Sequence, residues 1–243
     1  MGEWYKDWFA DDRYSCLYKN RNDEEAAKLI ELVESITGDD KSRSILDIPC
    51  GAGRHLITLA RRGYTNLHGR DLSPTLINEA KNRIAEENIS IDFAISDIRE
   101  PLTQEYDLIL NLFTSFGYFE KDEEHEAVIQ SFAGALSASG YVVIDFFNAL
   151  LVQEKLIPSS EVQIDGGEVA HITKRIESGR IIKTIRFASD GKEFIESVRL
   201  YTLRDFREMF AAAGLLLEHT FGDYEGNAFT DTSSRLIMFA RRA

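Results

Sequence analysis

The hydrophobic and polar positions of the chain predict strands and helices in alternation. Continuous or alternating apolar runs, which are typical of strands, occupy residues 44–48, 67–71, 89–95, 106–112 and 141–147. Apolar residues three and four positions apart, which are typical of helices, occur in residues 22–37, 54–62, 73–88 and 122–137. Strands that alternate with helices form a mainly parallel sheet covered by helices on both faces.

The pattern changes after the fifth predicted strand. Residues 161–201 hold short β-rich runs, and three turn signals separate them: Asp165-Gly166-Gly167, Ser178-Gly179 and Asp190-Gly191. Such dipeptides and tripeptides favour the tight turns of β-hairpins. The sequence therefore predicts an antiparallel β insertion after strand 5.

The last part of the chain returns to helix and strand patterns. A helix that ends at Gly214 begins with a capping box formed by Thr202 and Asp205. Two strands follow, over residues 215–221 and 235–240, and the short link between them favours antiparallel pairing. We therefore predict an α/β protein with a doubly wound, mostly parallel, seven-stranded sheet of the Rossmann-like type and one reversed strand.

These changes of pattern divide the chain into three predicted parts. Residues 1–21 form an N-terminal segment, residues 22–150 and 202–243 form the core, and residues 151–201 form the insertion. We expect the insertion to shape a substrate site. The same insertion could instead provide the surface of a homodimer.

Composition and charge exclude several classes of protein. The chain of 243 residues has a formal net charge of −13 and would repel phosphate backbones, so nucleic acid is not an expected partner. No apolar run reaches the roughly 20 residues of a membrane helix, and the first residues lack the pattern of a secretion signal. The two cysteines, Cys16 and Cys50, lack metal-ligand spacing. We expect a cytoplasmic protein without a metal site.

A tight turn with two glycines follows the first strand, in the segment SILDIPCGAGRHL of residues 44–56. Asp47 ends the strand, and Gly51 and Gly53 leave the turn bare before the next helix. A dinucleotide site of the G-x-G-x-x-G type would have a third glycine where Leu56 stands, and Asp47 would repel its diphosphate. A P-loop is excluded because no Gly-Lys-Ser or Gly-Lys-Thr follows.

A ligand with positive charge and no phosphate suits this turn better. S-adenosylmethionine carries an ammonium group and a sulfonium group, and Asp47 can help to hold its amino-acid end, directly or through backbone and water. The bare turn lets the ligand approach main-chain amides at the N-terminus of the next helix, which favour its carboxylate. The sequence therefore favours an adenosyl amino acid over a dinucleotide.

Two further acids follow the next two strands. Asp71 ends the second strand, where it can accept both ribose hydroxyls, although its distance from Gly53 also suits the acid of a dinucleotide site. Asp97 follows the third strand, where a carboxylate can accept the adenine amino group while Ile98 packs on the ring. The carboxyl edge of a parallel sheet is where such sheets bind ligands.

Four segments resemble the motifs of the class I S-adenosylmethionine-dependent methyltransferases: SILDIPCGAGRHLITLARRGY, HGRDLSPTLINEAKNRI, DFAISDIRE and YDLILNLFTSFGYFE. The resemblance covers nearly the whole chain and is closest to a bacterial small-molecule branch that includes sugar N-methyltransferase-like members. One departure is Pro49, where the wider class often has glycine. The resemblance implies S-adenosylmethionine as methyl donor and S-adenosylhomocysteine as product.

The resemblance also implies which residues bind the donor. Asp47, Gly51 and Gly53 would contact the methionine part, Asp71 the ribose, Asp97 and Ile98 the adenine, and Asn111 and Leu112 the methyl side. Leu72 would also belong to the donor site. Residues 1–21 would form an N-terminal lid that includes Tyr14, Tyr18 and Arg21, with Tyr18 and Arg21 reaching the donor. The alternative for this segment is a hydrophobic strap that only covers the sheet.

Methyl transfer from a sulfonium does not require a dedicated catalytic group. The donor is already activated, so the protein can accelerate the reaction by holding the nucleophile and the methyl group in line. A base is needed only where the acceptor arrives protonated. We therefore leave the catalytic residue unassigned and name four candidates: His55, Tyr118, Asp145 and Asn148.

The sequence also limits the classes of molecule that could accept the methyl group. Residues 111–113 read Asn-Leu-Phe and lack the Pro-Pro-Tyr with which base-amino methyltransferases hold a planar amino group. The expectation that remains is an amine or hydroxyl of a small molecule. A noncatalytic sensor or scaffold that binds S-adenosylmethionine is the alternative, which turnover would exclude. A nicotinamide oxidoreductase is disfavoured by Leu56 and Asp47.

Overall fold

The computed structural model describes residues 3–18 and 23–243, and it contains two β-sheets. Its strands are β1 (Ser44–Asp47), β2 (Asn66–Asp71), β3 (Asp92–Ile95), β4 (Tyr106–Asn111), β5 (Leu136–Phe147), β6 (Ser159–Gln163), β7 (Val169–Glu177), β8 (Arg180–Phe187), β9 (Glu193–Arg199), β10 (Leu215–Phe221) and β11 (Arg235–Arg242). The larger sheet has seven strands in the order β10-β11-β5-β4-β1-β2-β3. Only β11 runs against its neighbours in this sheet, which confirms the predicted fold class.

Helices cover both faces of the seven-stranded sheet. The helices are α1 (Trp4–Trp8), α2 (Arg13–Leu17), α3 (Asp23–Thr37), α4 (Arg54–Arg61), α5 (Pro74–Glu87), α6 (Asp122–Ala135), α7 (Ala149–Glu154) and α8 (Leu203–Ala212). Apolar residues of α6 and α8 form one core with the sheet, and those of α3, α4 and α5 form another. Neighbouring residues of β1 divide between them, because Leu46 packs in the first core and Ile45 in the second.

These two cores stabilise the sheet and hold its carboxyl edge in place. Phe132 of α6 and Phe206 and Phe210 of α8 are fully buried. Burial of a side chain of this size contributes about 1.5–3 kcal/mol relative to exposure. The loops at the carboxyl edge are therefore carried by a rigid support.

The smaller sheet contains the four antiparallel strands β6 to β9 in sequential order. Ser178 and Gly179 form the two-residue turn between β7 and β8, with φ angles of +50° and +70°. The other two predicted turns also join neighbouring strands of this sheet. The hairpin signals of the insertion were thus interpreted correctly.

Two element boundaries differ from the prediction, and both have local causes. β3 begins at Asp92 and not at Ile89, because the backbone amide of Ile89 donates to the carbonyl of Ile84 and closes α5. Asn88, with a φ of +55°, ends that helix. β5 begins earlier than predicted, at Leu136, directly after α6.

The N-terminal helices pack against the smaller sheet. Trp8 is fully buried in a third apolar core, where its ring lies 4.5 Å from that of Phe194 and 6.2 Å from that of Phe187. Arg21, which the sequence assigns to the lid, lies outside the described residues. Among the helices that are described, none is long and apolar enough to cross a membrane.

Candidate functional site

Three adjoining cavities lie beside the carboxyl edge of the seven-stranded sheet. The first, the glycine-turn cavity, has a volume of about 290 Å³ and is lined by residues that include Gly51, His55, Leu112, Tyr14 and Tyr18. The second, the aspartate cavity, has a volume of about 50 Å³ and is lined by residues that include Asp71, Leu72, Asp97 and Ile98. Pro49 and Ser115 line both, so the two cavities adjoin along the ends of the strands.

The two glycines of the turn are required for different reasons. Gly51 has a φ of +54°, and a Cβ atom there would meet nothing within 4 Å, so its backbone is open to the cavity. Gly53 has a φ of +77°, and a Cβ atom there would lie 2.7 Å from Cζ of Phe93. Gly53 therefore has to lack a side chain so that Phe93 of β3 can pack against it. The sequence alone did not predict this contact.

Asp47 is a fully buried carboxylate at the end of β1. Neither of its carboxylate oxygens has a partner among the described residues. Nδ1 of His55 lies 3.5 Å from Oδ2 of Asp47. Burial lowers the pKa of His55 although Asp47 opposes this shift, so the imidazole is neutral near pH 7. A buried carboxylate of this kind is costly unless a cation or N–H group approaches it, and an ammonium group fits that need.

Asp71 is held from both sides by backbone amides. Its Oδ2 accepts from the amide of Gly51 and its Oδ1 from that of Ser73, both at 2.8 Å. Each oxygen keeps a lone pair for another donor. Burial raises the pKa of Asp71 to about 6, against the lowering effect of these amides. Asp71 thus links the glycine turn to the start of α5 and presents a carboxylate to the aspartate cavity.

Asp97 lines the aspartate cavity but is bound by a neighbouring arginine. Arg99 donates from Nη2 at 2.6 Å to Oδ2 and from Nε at 3.0 Å to Oδ1 of Asp97. Burial alone would raise the pKa of Asp97, but the hydrogen bonds from Arg99 outweigh it and lower the pKa. Ile98 and Leu72 line the same cavity. The sequence did not indicate that Asp97 is already paired.

Asn111 and Leu112 occupy different positions around the end of β4. Leu112 lines the glycine-turn cavity. Asn111 is fully buried and does not line any of the three cavities, because its side-chain amide donates to the carbonyl of Ile48 at 2.8 Å. Its Oδ1 has no partner among the residues that the structure describes.

The third cavity, the insertion cavity, lies between the smaller sheet and the carboxyl edge of the larger one. It has a volume of about 240 Å³ and shares Tyr14, Tyr18 and Phe113 with the glycine-turn cavity. Its other lining residues include Trp4, Thr114, Tyr118, Phe147, Lys174 and Arg235. Aromatic surfaces and charged groups therefore face the same space.

The smaller sheet presents a row of charged residues to the insertion cavity. Lys174, Lys183 and Glu196 lie directly opposite one another on β7, β8 and β9, and all three line the cavity. Nζ of Lys183 lies 3.4 Å from Oε2 of Glu196. Sequence reasoning missed this row, because only the strand register places the three residues together.

Glu196 also joins the N-terminal helices to the smaller sheet. Nε1 of Trp8 donates to Oε1 of Glu196 at 2.7 Å, and the hydroxyl of Tyr18 donates to the same oxygen. Lys183 in turn donates to the hydroxyl of Tyr18. Tyr18, which the sequence assigns to the donor, thus lies where the glycine-turn and insertion cavities adjoin.

Of the four catalytic candidates, two line the cavities and two do not. His55 lines the glycine-turn cavity, and Tyr118 lines the insertion and aspartate cavities. Asp145 is fully buried, and Asn148 caps α7 while its amide donates to the carbonyls of residues 230, 231 and 233. Asp145 and Asn148 therefore hold backbone and side chains around the site. Within the described part of the chain, no group of three or more His, Cys, Asp or Glu side chains could hold a metal ion.

Part of the chain matches a known protein family, and a characterised relative matches most of its length. Residues 45–140 match the family model of a methyltransferase domain. A dTDP-3-amino-3,4,6-trideoxy-alpha-D-glucopyranose N,N-dimethyltransferase of Streptomyces venezuelae is 26% identical over 228 residues, which are 88% of this chain and 93% of the relative.

Solved structures share the fold. An S-adenosylmethionine-dependent methyltransferase of Clostridium acetobutylicum ATCC 824 superimposes with a TM-score of 0.81 at 17% identity, over 95% of this chain and 96% of that one. An amino pentose methyltransferase of Micromonospora echinaspora, solved with S-adenosylmethionine bound, gives a TM-score of 0.72 at 20% identity, over 96% of this chain and 98% of that one. The domain match and the relative show that the chain carries a methyltransferase domain, and the solved structures show that its fold is the one found in S-adenosylmethionine-dependent methyltransferases.

Proposed function

We propose that this methyltransferase methylates the amine of a small molecule related to an amino sugar, held in the insertion cavity. The observation that carries the proposal is that the insertion and glycine-turn cavities adjoin at Tyr14, Tyr18 and Phe113. A donor in one cavity and an acceptor in the other would face each other across these rings. The Streptomyces venezuelae relative, named as an N,N-dimethyltransferase of a dTDP-linked amino sugar, supports an amine as acceptor.

The donor would lie along the glycine-turn and aspartate cavities. Asp47, whose oxygens have no donor among the described residues, would receive the ammonium group. The open space at Gly51 would admit the amino-acid end of the donor, while the amide of Gly51 stays bonded to Asp71, and the oxygens of Asp71 would accept from the ribose hydroxyls. Leu72 and Ile98 would pack on the adenine in the aspartate cavity.

Four further residues complete the assignment of the donor side. Asp97 would accept the adenine amino group in addition to its bonds from Arg99. Asn111 would act through the carbonyl of Ile48 because it lies behind the cavity wall, whereas Leu112 would face the methyl side directly. Gly53 would help through the shape of the turn, since its missing side chain makes room for Phe93.

The chain would contribute orientation to the reaction. S-adenosylmethionine supplies a methyl group that its sulfonium charge has already activated. The two cavities would hold the acceptor nitrogen in line with that group, and such positioning can supply most of the acceleration in a displacement between two bound molecules. The acceptor amine must lose its proton before it attacks. His55, whose neutral imidazole lines the glycine-turn cavity, is the candidate to accept that proton, and Tyr118, which lines the insertion cavity, could donate a hydrogen bond from its hydroxyl to the acceptor.

The N-terminal helices would serve as a lid over both cavities. The hydrogen bonds from Trp8 and Tyr18 to Glu196 support this role, because they fix the helices to the smaller sheet. The smaller sheet would form the wall that selects the acceptor. Residues 1–21 and 151–201 would thus determine access and specificity, while the rest of the chain would bind the donor.

The proposal is tested with S-adenosylmethionine labelled in its methyl group. Purified protein is incubated with dTDP-linked amino sugars, with the free amino sugars, and with matched sugars that carry a hydroxyl in place of the amine. We expect label on the amine nitrogen and none on the hydroxyl analogues. Label on oxygen would overturn the amine proposal. Donor binding without transfer to any acceptor would favour the noncatalytic alternative.

A further inference from the structure

Two consecutive residues after β4 have a backbone conformation that L-amino acids rarely adopt. Phe113 and Thr114 have φ angles of +58° and +62°, in the left-handed region. Only glycine enters this region freely, because in other residues the Cβ atom crowds the backbone. Such conformations persist where the surrounding structure enforces them, and they are concentrated at functional sites.

This turn forms the boundary between two of the cavities. Phe113 lines both the glycine-turn cavity and the insertion cavity, and Thr114 lines the insertion cavity. The guanidinium carbon of Arg54 lies 3.7 Å from the centroid of the Phe113 ring. A change in the backbone of the turn would therefore move the wall between the two bound molecules.

Asp145 holds the turn from behind. Its Oδ2 accepts from the amide of Phe113 at 3.0 Å, and its backbone carbonyl accepts from the amide of Thr114 at 2.8 Å. Arg235 lies 2.7 Å from Oδ1 of Asp145 and also donates to Oγ1 of Thr114 at 3.2 Å. The hydroxyl of Tyr224 donates to Oδ2 of Asp145 at 2.9 Å.

A carboxylate is an expensive choice at this place in the fold. Asp145 is fully buried in β5 between Ile144 and Phe146, which are buried as well. An apolar residue would satisfy the packing of the strand without the cost of burying a charge. The bonds to the turn explain the carboxylate, since an apolar side chain could not hold Phe113 in its conformation.

We infer that Asp145 is a positioning residue for methyl transfer, acting through the Phe113–Thr114 turn. Asp145 does not line any of the three cavities, so it would not contact donor or acceptor. It fixes the wall at which the two molecules meet. The inference rests on the proposed function, because it requires the acceptor to occupy the insertion cavity.

The variant Asp145→Asn tests this role. An amide has one acceptor oxygen in place of two, so the turn loses either the bond at Phe113 or the support of Arg235. We expect kcat to fall by about 10- to 100-fold, because a small misplacement of reacting groups has effects of this size. The Kd for S-adenosylmethionine should stay within about threefold of the wild-type value. A parallel loss of donor affinity and kcat would overturn the inference.

A second substitution provides a rescue that a merely structural role would not show. Glycine at position 114 adopts a positive φ without help. In the Asp145→Asn background, Thr114→Gly should raise kcat by at least about threefold over Asp145→Asn alone. In the wild-type background the same substitution should not raise kcat. Absence of rescue would count against the inference.

Asp107→Asn is the matched control. Asp107 also bonds to backbone and side chain in the sheet, accepting from the amide of Ser44 at 3.0 Å and from Oγ of Ser137 at 2.7 Å. It lies at the other end of β4, so its loss should lower the melting temperature and leave kcat unchanged. A fall in kcat equal to that of Asp145→Asn would show that loss of any carboxylate hydrogen-bonded within the sheet has this effect.

Failure of the proposed function can be distinguished from failure of the role inferred for Asp145. If the wild-type protein methylates no acceptor, the amine proposal fails by itself. A crystal structure of Asp145→Asn then tests the inference directly. We expect the φ of Thr114 to leave the left-handed region, and a value still near +62° would overturn the role of Asp145.

Discussion

The donor side and the acceptor side of the site meet at Phe113 but are built from different parts of the chain. The donor side, formed by the glycine-turn and aspartate cavities, consists mainly of residues that directly follow β1, β2, β3 and β4. The acceptor side, formed by the insertion cavity, takes residues from the N-terminal helices, the smaller sheet and β11, from Trp4 to Arg235.

This difference shows what the shared fold determines and what it leaves open. Parallel strands bring their carboxyl ends to one edge, so the donor side follows from the strand order. The acceptor side depends on how separate segments assemble around that edge. We therefore expect substitutions on the donor side to change donor binding or stability, and substitutions on the acceptor side to change the use of acceptor.

The largest effect is expected at the glycine turn. Gly53→Ala should destabilise the protein by about 2 kcal/mol or more, because it adds the cost of a left-handed residue to a clash with Phe93. Gly51→Ala should cost only about 1 kcal/mol, since open space surrounds that position. Denaturant unfolding of both variants measures the difference. Equal losses would show that Gly53 is not required for packing.

A substitution on the acceptor side should have a smaller effect, which appears in the KM for the acceptor. Lys174→Ala should raise the KM for the acceptor about tenfold, because it removes a charged contact from the insertion cavity, and leave the Kd for S-adenosylmethionine unchanged. Steady-state kinetics and titration of the donor separate the two constants.

Arg175→Ala is the control for Lys174→Ala. Its side chain is 52% exposed and it precedes Ile176 on the same strand, but it does not line the insertion cavity. Its KM should equal that of the wild type. A loss of donor affinity in Lys174→Ala would contradict the claim that donor and acceptor are bound by separate sets of residues.

Donor binding should depend on pH, and the change in affinity should be no larger than the change in acceptor KM expected for Lys174→Ala. Burial raises the pKa of Asp71 to about 6, so its carboxylate is mostly protonated at pH 5. Donor affinity should therefore fall as the pH drops through 6, by up to about tenfold at pH 5. Asp71→Asn should bind the donor more weakly and lose this part of the pH dependence. Calorimetric titrations between pH 5 and pH 8 measure both.

Asp71 should affect the stability of the fold in the opposite direction, because its contribution to the free energy of unfolding rises as the pH falls. The folded-state pKa of about 6 exceeds the ordinary value of 3.8, so the folded chain takes up a proton more readily than the unfolded chain. The penalty for burying Asp71 is therefore relieved as the pH falls from about 6 towards 4. In Asp71→Asn this contribution should be absent from the pH profile of unfolding.

The fold could be predicted because its signals are local. The start of α5 is an example, since Ser73 caps it through the amide of Leu76 and Pro74 occupies its first position. Asp71 was assigned from its position at the end of a strand, and the structure places it in a cavity. The start of β3 was predicted wrongly because helix closure by Ile89 competes with the apolar pattern.

The acceptor side could not be predicted because its signals are not local. Lys174 and Glu196 become neighbours of Lys183 only through strand register. The conformation of the Phe113–Thr114 turn is imposed by contacts from β5 and β11, and the sequence of the turn itself does not predict it.

The central claim is that carboxylates at the ends of neighbouring strands hold the donor. Calorimetric titration of S-adenosylmethionine and S-adenosylhomocysteine into the wild type, Asp71→Ala and Lys174→Ala tests it most directly. We predict micromolar binding to the wild type and to Lys174→Ala, and an affinity lower by several-fold or more in Asp71→Ala. Equal affinities of the wild type and Asp71→Ala would contradict the account.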